Sequence, residues 1–295
     1  MEDRVVKNYF SSTFGVELSP EESDRLIFCK PRFIPVDRFI VSFAVKGLSG
    51  GVFDGIRGVV FADPSVQLEE YCGLSVIETS SPEESFWRAH RKLRLEVIKQ
   101  LQASEIAETA LIHPTASIAD TGVFIGENVE VGPNAVICSG VHLSKNVSVG
   151  AGCVIGADAL ESGKLSGSVA EPHAGVVLIE EGVVLQSLVS VSKALFFGDR
   201  TVIGGKTLVG DHVHIAHGVS IGAESILAAG SLVCGNAHLG QRVWVGPKVV
   251  VTNRVNIGSN ARLHLGSNVI NSVGSDCEVC SIPALDKKHV VKILK

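Results

Sequence analysis

The sequence predicts a mainly β protein: a three-sided parallel β-helix preceded by a small α/β domain. Three observations carry that expectation. First, aliphatic residues recur every six positions. From Ile179 to Val269 sixteen of sixteen sites in that step are apolar, in a chain that is 45% hydrophobic, and Ile125 to Ile155 keeps the same step. Second, the residue two before each aliphatic is small or β-branched, as at Val129, Ala135, Val141, Val213, Val219 and Val243. Alternate residues of a strand point the same way, so both positions face inward. Third, glycine often follows the aliphatic, as at Gly126, Gly204 and Gly222, and is expected to turn the corner with positive φ. Each hexad is then one short strand plus a corner, and three hexads close one coil.

The elements follow in chain order. Residues 1–105 lack the period and form the small α/β domain. Short β-rich runs lie at 32–36, 39–45, 58–61 and 74–78. A helix is expected after Ser81, with Pro82 in its first turn and Ser81 and Glu84 as a capping box. His113, Pro114 and Ile118 lead into the first coil, and the β-helix domain runs over 106–281. The period breaks at about 157–175, a polar, Gly- and Ser-containing stretch that reads as a loop inserted on one edge. Residues 282–295, IPALDKKHVVKILK, form a basic C-terminal tail.

Composition narrows the function. The net charge of −5 is spread evenly, and no basic run with interleaved aromatics suggests nucleic acid. Mean hydropathy is positive, at +0.32, which a fully lined solenoid core explains. No apolar stretch reaches membrane-spanning length, so no transmembrane segment is expected. MEDRVVKNYF has no apolar signal core, which points to the cytoplasm. The seven scattered cysteines fit reduced thiols, with Cys138 and Cys153 as packing residues. Cys277 and Cys280 form a lone CxxC pair without the second pair or histidine that a zinc site needs.

The most informative local stretch is VHIAHGVSIG, residues 213–222. His217 falls two residues after an inward aliphatic, at an outward-pointing corner. Eighteen residues earlier stands Asp199, eighteen later Gly235 and thirty-six later Asn253. An imidazole, a carboxylate to orient it and a glycine N–H are the parts that acyl transfer needs. A base takes the proton of the attacking group, worth ~10²–10⁴-fold, and an N–H stabilises the tetrahedral oxyanion, worth ~10²–10³-fold.

The hexads, the small N-terminal domain, PHAGVVLIEEGV, ALFFGDRTVIG and VHIAHGVSIG resemble the UDP-3-O-acylglucosamine N-acyltransferases of lipid A biosynthesis, and more loosely the wider hexapeptide-repeat acyltransferases. The resemblance implies a left-handed β-helix, a homotrimer with sites between neighbouring solenoids, a nucleotide-linked amino sugar as acceptor, and no permanently bound cofactor. It implies that His217 is the general base and the Gly235 amide the oxyanion donor; Asp199, by its place one coil earlier, is the candidate orienting group. His214, His173 and Gly218 are candidate substrate contacts. The chain departs from the family pattern in several places. Gly218 stands where the family has Asn, and Asn253 or Arg254 where it has a second His. FADPSV replaces the tyrosine-bearing segment that holds the uracil, leaving Phe61 as the candidate stacking face. The chain ends CSIPALDKK, similar to coenzyme A-dependent relatives, so the thioester donor is either acyl-CoA or acyl carrier protein. Lys248, Arg254 and Arg262 are candidate donor-phosphate contacts. Trp244 is expected to pack against a neighbouring subunit or line the donor channel.

Two other readings remain. Carbonic anhydrases of the γ class use a similar solenoid with zinc held by histidines, and His212 and His217 have that family's five-residue spacing, yet residues 174–211 supply no third His. Alternatively the protein is a catalytically inactive trimeric scaffold whose N-terminal domain binds a ligand or partner.

Overall fold

The computed structural model describes residues 2–31, 38–46, 48, 50–53, 55–66, 68, 73–160 and 172–281. The run expected at 32–36, most of the 157–175 insertion and the 282–295 tail lie outside the described residues. Helices α1 (Glu2–Phe14) and α2 (Pro20–Asp24) precede β1 (Leu26–Phe28), β2 (Phe39–Ala44), β3 (Arg57–Ala62) and β4 (Leu74–Glu78). The four strands form one parallel sheet in sequential order. All six residues of β2 are buried, as a parallel strand covered on both sides should be. One side meets aromatic residues of α1 and α3 (Pro82–Ile98), including Phe10, Phe86 and Trp87. The other side packs Ile40, Val60 and Ala62 against Phe53 and Leu68.

The capping box expected at Ser81 is absent. Ser81 makes no side-chain bond to the helix, and its own N–H instead donates to Thr79 Oγ1 at 3.2 Å. The box occurs at the start of α2, where Ser19 and Glu22 cap each other. Among the described residues no helix is long and apolar enough to cross a membrane.

From Glu105 the chain winds a solenoid with three flat faces, each a parallel sheet of two- to four-residue strands. The first face carries Ile125, Leu143, Ile203 and Ile221 inward, the second Val131, Val149 and Val209, the third Ile137, Ile155 and Ile215. Both predicted inward positions are buried: Val129, Ala135, Val213 and Val243 join the aliphatics in one continuous core.

The glycines after the aliphatics serve a different purpose from the one expected. Gly126, Gly132, Gly204, Gly210 and Gly222 are not among the positive-φ residues. They are small because the next coil passes directly over them: a Cβ on Gly204 would sit 2.5 Å from Ala223 N. The left-handed corner residue comes two positions later and is often not glycine, as at Asn128, Asn134, Lys206, Glu224 and Asn236. Asparagine tolerates that conformation best after glycine.

The hexad count also hides a detour. Fifteen of the sixteen stepped aliphatics line the solenoid core, but Phe197 does not; it packs with Leu195 and Phe196 against the N-terminal aromatic core. Ile179 pairs with Ile203, 24 residues on, where an ordinary coil such as Ile125 to Leu143 takes 18. Six extra residues therefore leave the solenoid around 193–199. The larger insertion makes Leu143 pair with Ile179, 36 residues on. Both detours are whole multiples of six, so neither disturbs the phase. Both also leave from the corner between the third and first faces.

Candidate functional site

That corner is a column, and the sequence stacks its polar residues there. His173 ends the large insertion, Asp199 ends the six-residue detour, and His217, Gly235 and Asn253 follow on successive coils. His217 is half-buried. Its ring lies against Gly235, where a Cβ would sit 2.6 Å from Nε2 and 2.7 Å from Cε1. Glycine is thus required at 235 by the imidazole, not by backbone conformation. The His217 carbonyl accepts from Asn236 N–H at 2.9 Å, which ties this corner to the next coil.

His173 is buried, and its ring meets that of His217 edge to face with centroids 5.8 Å apart. Its backbone is held from two sides: its carbonyl accepts from Arg94 Nε at 2.8 Å, and its N–H donates to Asp158 Oδ2 at 3.4 Å. Gly218 turns the corner at φ 66° and donates its N–H to Thr201 Oγ1 at 2.9 Å. A side chain there would overlap Asn236 Oδ1 and approach Asp199 Oδ2 at 3.5 Å. An asparagine at this position would collide with Asn236.

Asp199 reaches this corner by a route that eighteen-residue stepping does not describe. The strand carrying His214 pairs with Ser190, 24 residues earlier, so Asp199 belongs to the detour rather than to a regular corner. Burial pushes its carboxyl above the ordinary range, opposed by a 2.7 Å bond from Arg200 N–H and by the charges of His238, Arg38 and Arg200. His214 lies on the third face beside the corner, with Nδ1 3.3 Å from Ser190 Oγ, and burial lowers its pKa.

Other expected residues do not join this cluster as expected. Asn253 and Arg254 are exposed; Arg254 donates its backbone N–H to the Gly235 carbonyl at 3.2 Å. Lys248 sits at the corner between the second and third faces, its ammonium over Gly230. Phe61 offers no stacking surface: it is 3% exposed and packed edge-on against Phe14. A central strand of a sheet covered on both sides turns its aromatics into the core. Trp244 is partly exposed on the second face. His212 and His217 occupy opposite ends of one short strand and do not converge, and among the described residues no group of three His, Cys, Asp or Glu is placed to hold a metal.

Sequence reasoning missed three groups. Asn236 is one coil from Gly218 and was within reach of the same stepping. His238, on the first face, was not. Nor was a groove of about 700 Å³ between the end of α3 and the first face, whose lining includes Arg94, Ile98, Leu101, Phe124, His173 and Asp199. On its floor Phe124 and His142 stack at 4.3 Å and 14°. Neither is a hexad core position, so periodicity gave them no signal.

Residues 122–157 match the bacterial transferase hexapeptide family of six repeats. Together with the three parallel faces, this gives a left-handed parallel β-helix with a small N-terminal α/β layer. A UDP-3-O-acylglucosamine N-acyltransferase of Caulobacter sp. (strain K31) is 30% identical over 139 residues, 47% of this chain and 40% of that protein. A serine acetyltransferase of Synechococcus elongatus is 36% identical over 88 residues, 29% of this chain and 34% of that one. The solved structure of LpxA from Acinetobacter baumannii aligns with 60% of this chain and 71% of its own at 22% identity and a TM-score of 0.39. The chain spans less than half the length of these curated relatives. The chain carries hexapeptide repeats and is similar over part of its length to acyltransferases of this kind.

Proposed function

We propose that the protein is an acyltransferase that moves an acyl group from a thioester donor, acyl-CoA or acyl carrier protein, to the amine of a nucleotide-linked amino sugar. The observation that carries the reading is the His217 ring seated on Gly235 at the corner column. The acceptor amine attacks the thioester carbonyl carbon, and His217 takes the proton that the nitrogen sheds. The Gly235 N–H supports the oxyanion. As the C–S bond breaks, the imidazolium returns its proton to the departing thiolate, leaving an amide and a free thiol. Asp199 holds the imidazole orientation.

The groove beside the column supports an acceptor with both anionic and apolar parts. Arg38, Arg94, Lys193 and Arg200 supply positive charge, and Ile98, Leu101 and Phe124 supply apolar surface. With Phe61 buried, this groove replaces the N-terminal stacking site as the place for the acceptor. The homotrimer belongs to the same proposal, with the corner column facing the next solenoid.

The test is thiol release from acetyl-, decanoyl- and myristoyl-CoA and from acyl carrier protein thioesters, with UDP-linked glucosamine as acceptor. His217→Ala should lower turnover ~10²–10⁴-fold while the circular dichroism spectrum and elution volume stay as in wild type. Wild-type turnover in that variant removes His217 from the chemistry.

A further inference from the structure

His90 is the buried ionisable group that the mechanism above does not use. It lies on α3, fully buried among Phe28, Trp87 and Phe196, with ring centroids 5.2–5.8 Å away. Its Nε2 accepts the backbone N–H of Phe197 at 3.3 Å, while its Nδ1 is buried without a hydrogen-bond partner. A buried donor left unmatched costs about 1–3 kcal/mol, so an aromatic residue would pack this spot more cheaply. Phe197 lies within the six-residue detour. The detour is gripped from the sheet as well: the Phe197 carbonyl accepts from Phe28 N–H at 3.1 Å on β1. Gly198, at φ 81°, presses so close to β1 that a Cβ would overlap the Leu26 carbonyl. One residue further on stands Asp199, its carboxylate against Gly218.

We propose that His90 is a positioning residue: from inside the N-terminal layer it fixes the 193–199 detour and so sets the Asp199 carboxylate at the His217 corner. The N-terminal layer is then part of the catalytic apparatus, not only a binding module. The inference rests on the reading of Asp199 as the partner of His217. Burial, aided by Arg94, His173 and Arg91, holds the His90 pKa down to about 3. The ring is neutral throughout the working range and its Nε2 stays an acceptor.

The experiment follows the His217 imidazole by NMR titration in the full-length protein, alongside melting temperature. His173 faces it at 5.8 Å, and Asp199 Oδ2 stands beside the next residue, 3.5 Å from where a Cβ on Gly218 would sit; His238, Arg38 and Arg200 act on Asp199. Asp199→Asn should lower the His217 pKa by about half a unit or more, since a nearby carboxylate favours the imidazolium. His90→Phe, which keeps the packing but removes the acceptor, should shift it the same way, and His90→Gln should restore it. Gly198→Ala, which disturbs the detour from the β1 side, should act like His90→Phe. If Asp199→Asn shifts His217 but His90→Phe and Gly198→Ala leave it at the wild-type value, His90 is packing and the inference is wrong. If Asp199→Asn itself leaves His217 unmoved, the reading of Asp199 fails and takes the inference with it.

Discussion

At the scale of single residues, what holds the site is exclusion of side chains as much as placement of them. Gly235 has ordinary backbone geometry, yet any Cβ there would enter the His217 ring. Gly235→Ala should therefore displace the imidazole and reduce turnover by ~10²-fold or more, with little change in urea midpoint; unchanged kinetics would show that the ring position does not matter. His90 makes a second prediction, on stability. Its folded pKa of about 3 lies below its ordinary 6.5, so the unfolded chain binds the extra proton. Stability is fully present above pH 6.5 and falls as the pH drops toward 3, by up to about 1.4 kcal/mol per unit. The raised Asp199 carboxyl works in the opposite sense at its own titration. Chemical denaturation at several pH values in an Asp199→Asn background isolates the His90 slope, and His90→Phe should flatten it.

At the scale of elements, the coil is set by close backbone passage. Gly204→Ala would force a methyl group to 2.5 Å from the Ala223 amide nitrogen, and should cost about 1–3 kcal/mol, the usual toll of overpacking. Lys206→Gly, at a true left-handed corner of φ 58°, should cost far less or stabilise, because glycine meets no Cβ penalty there. A larger loss at 206 than at 204 in a melting experiment would reverse the two roles. Strand spacing and both inward positions were legible in the sequence because each repeats where the physics repeats. The purpose of the glycines was not, since close approach and positive φ select the same residue. Phe197 misled the count for a related reason: a detour of one whole hexad puts an aromatic where an aliphatic belongs. His217 and Gly235 were legible because one full coil separates them. Asp199, His173 and the groove depend on where two irregular segments fold back, and period alone does not report that. Phe61 looked available because a strand sequence does not say which of its faces is covered.

At the scale of the whole molecule, the prism's three sides differ in what they offer a neighbour. Beside the corner column, the outward residues of the third face include Val136, Val154, His214, Leu232 and Val250, all half-buried. The second face, opposite that corner, carries Val184, Leu208, Ile226 and Trp244 more openly. A closed ring of three prisms brings a corner of each against the adjoining side of the next, not against its far side. Leu232→Asp should therefore split the proposed trimer in light scattering and lose acyl transfer with it, whereas Ile226→Asp should leave both intact. Finally, both departures from the solenoid leave the same corner and return after a whole number of hexads, so the strands beyond them stay in phase. That corner works as a socket: loops can be exchanged there, by evolution or by grafting, without rewriting the rest of the lattice, and new specificity can accumulate next to an unchanged imidazole.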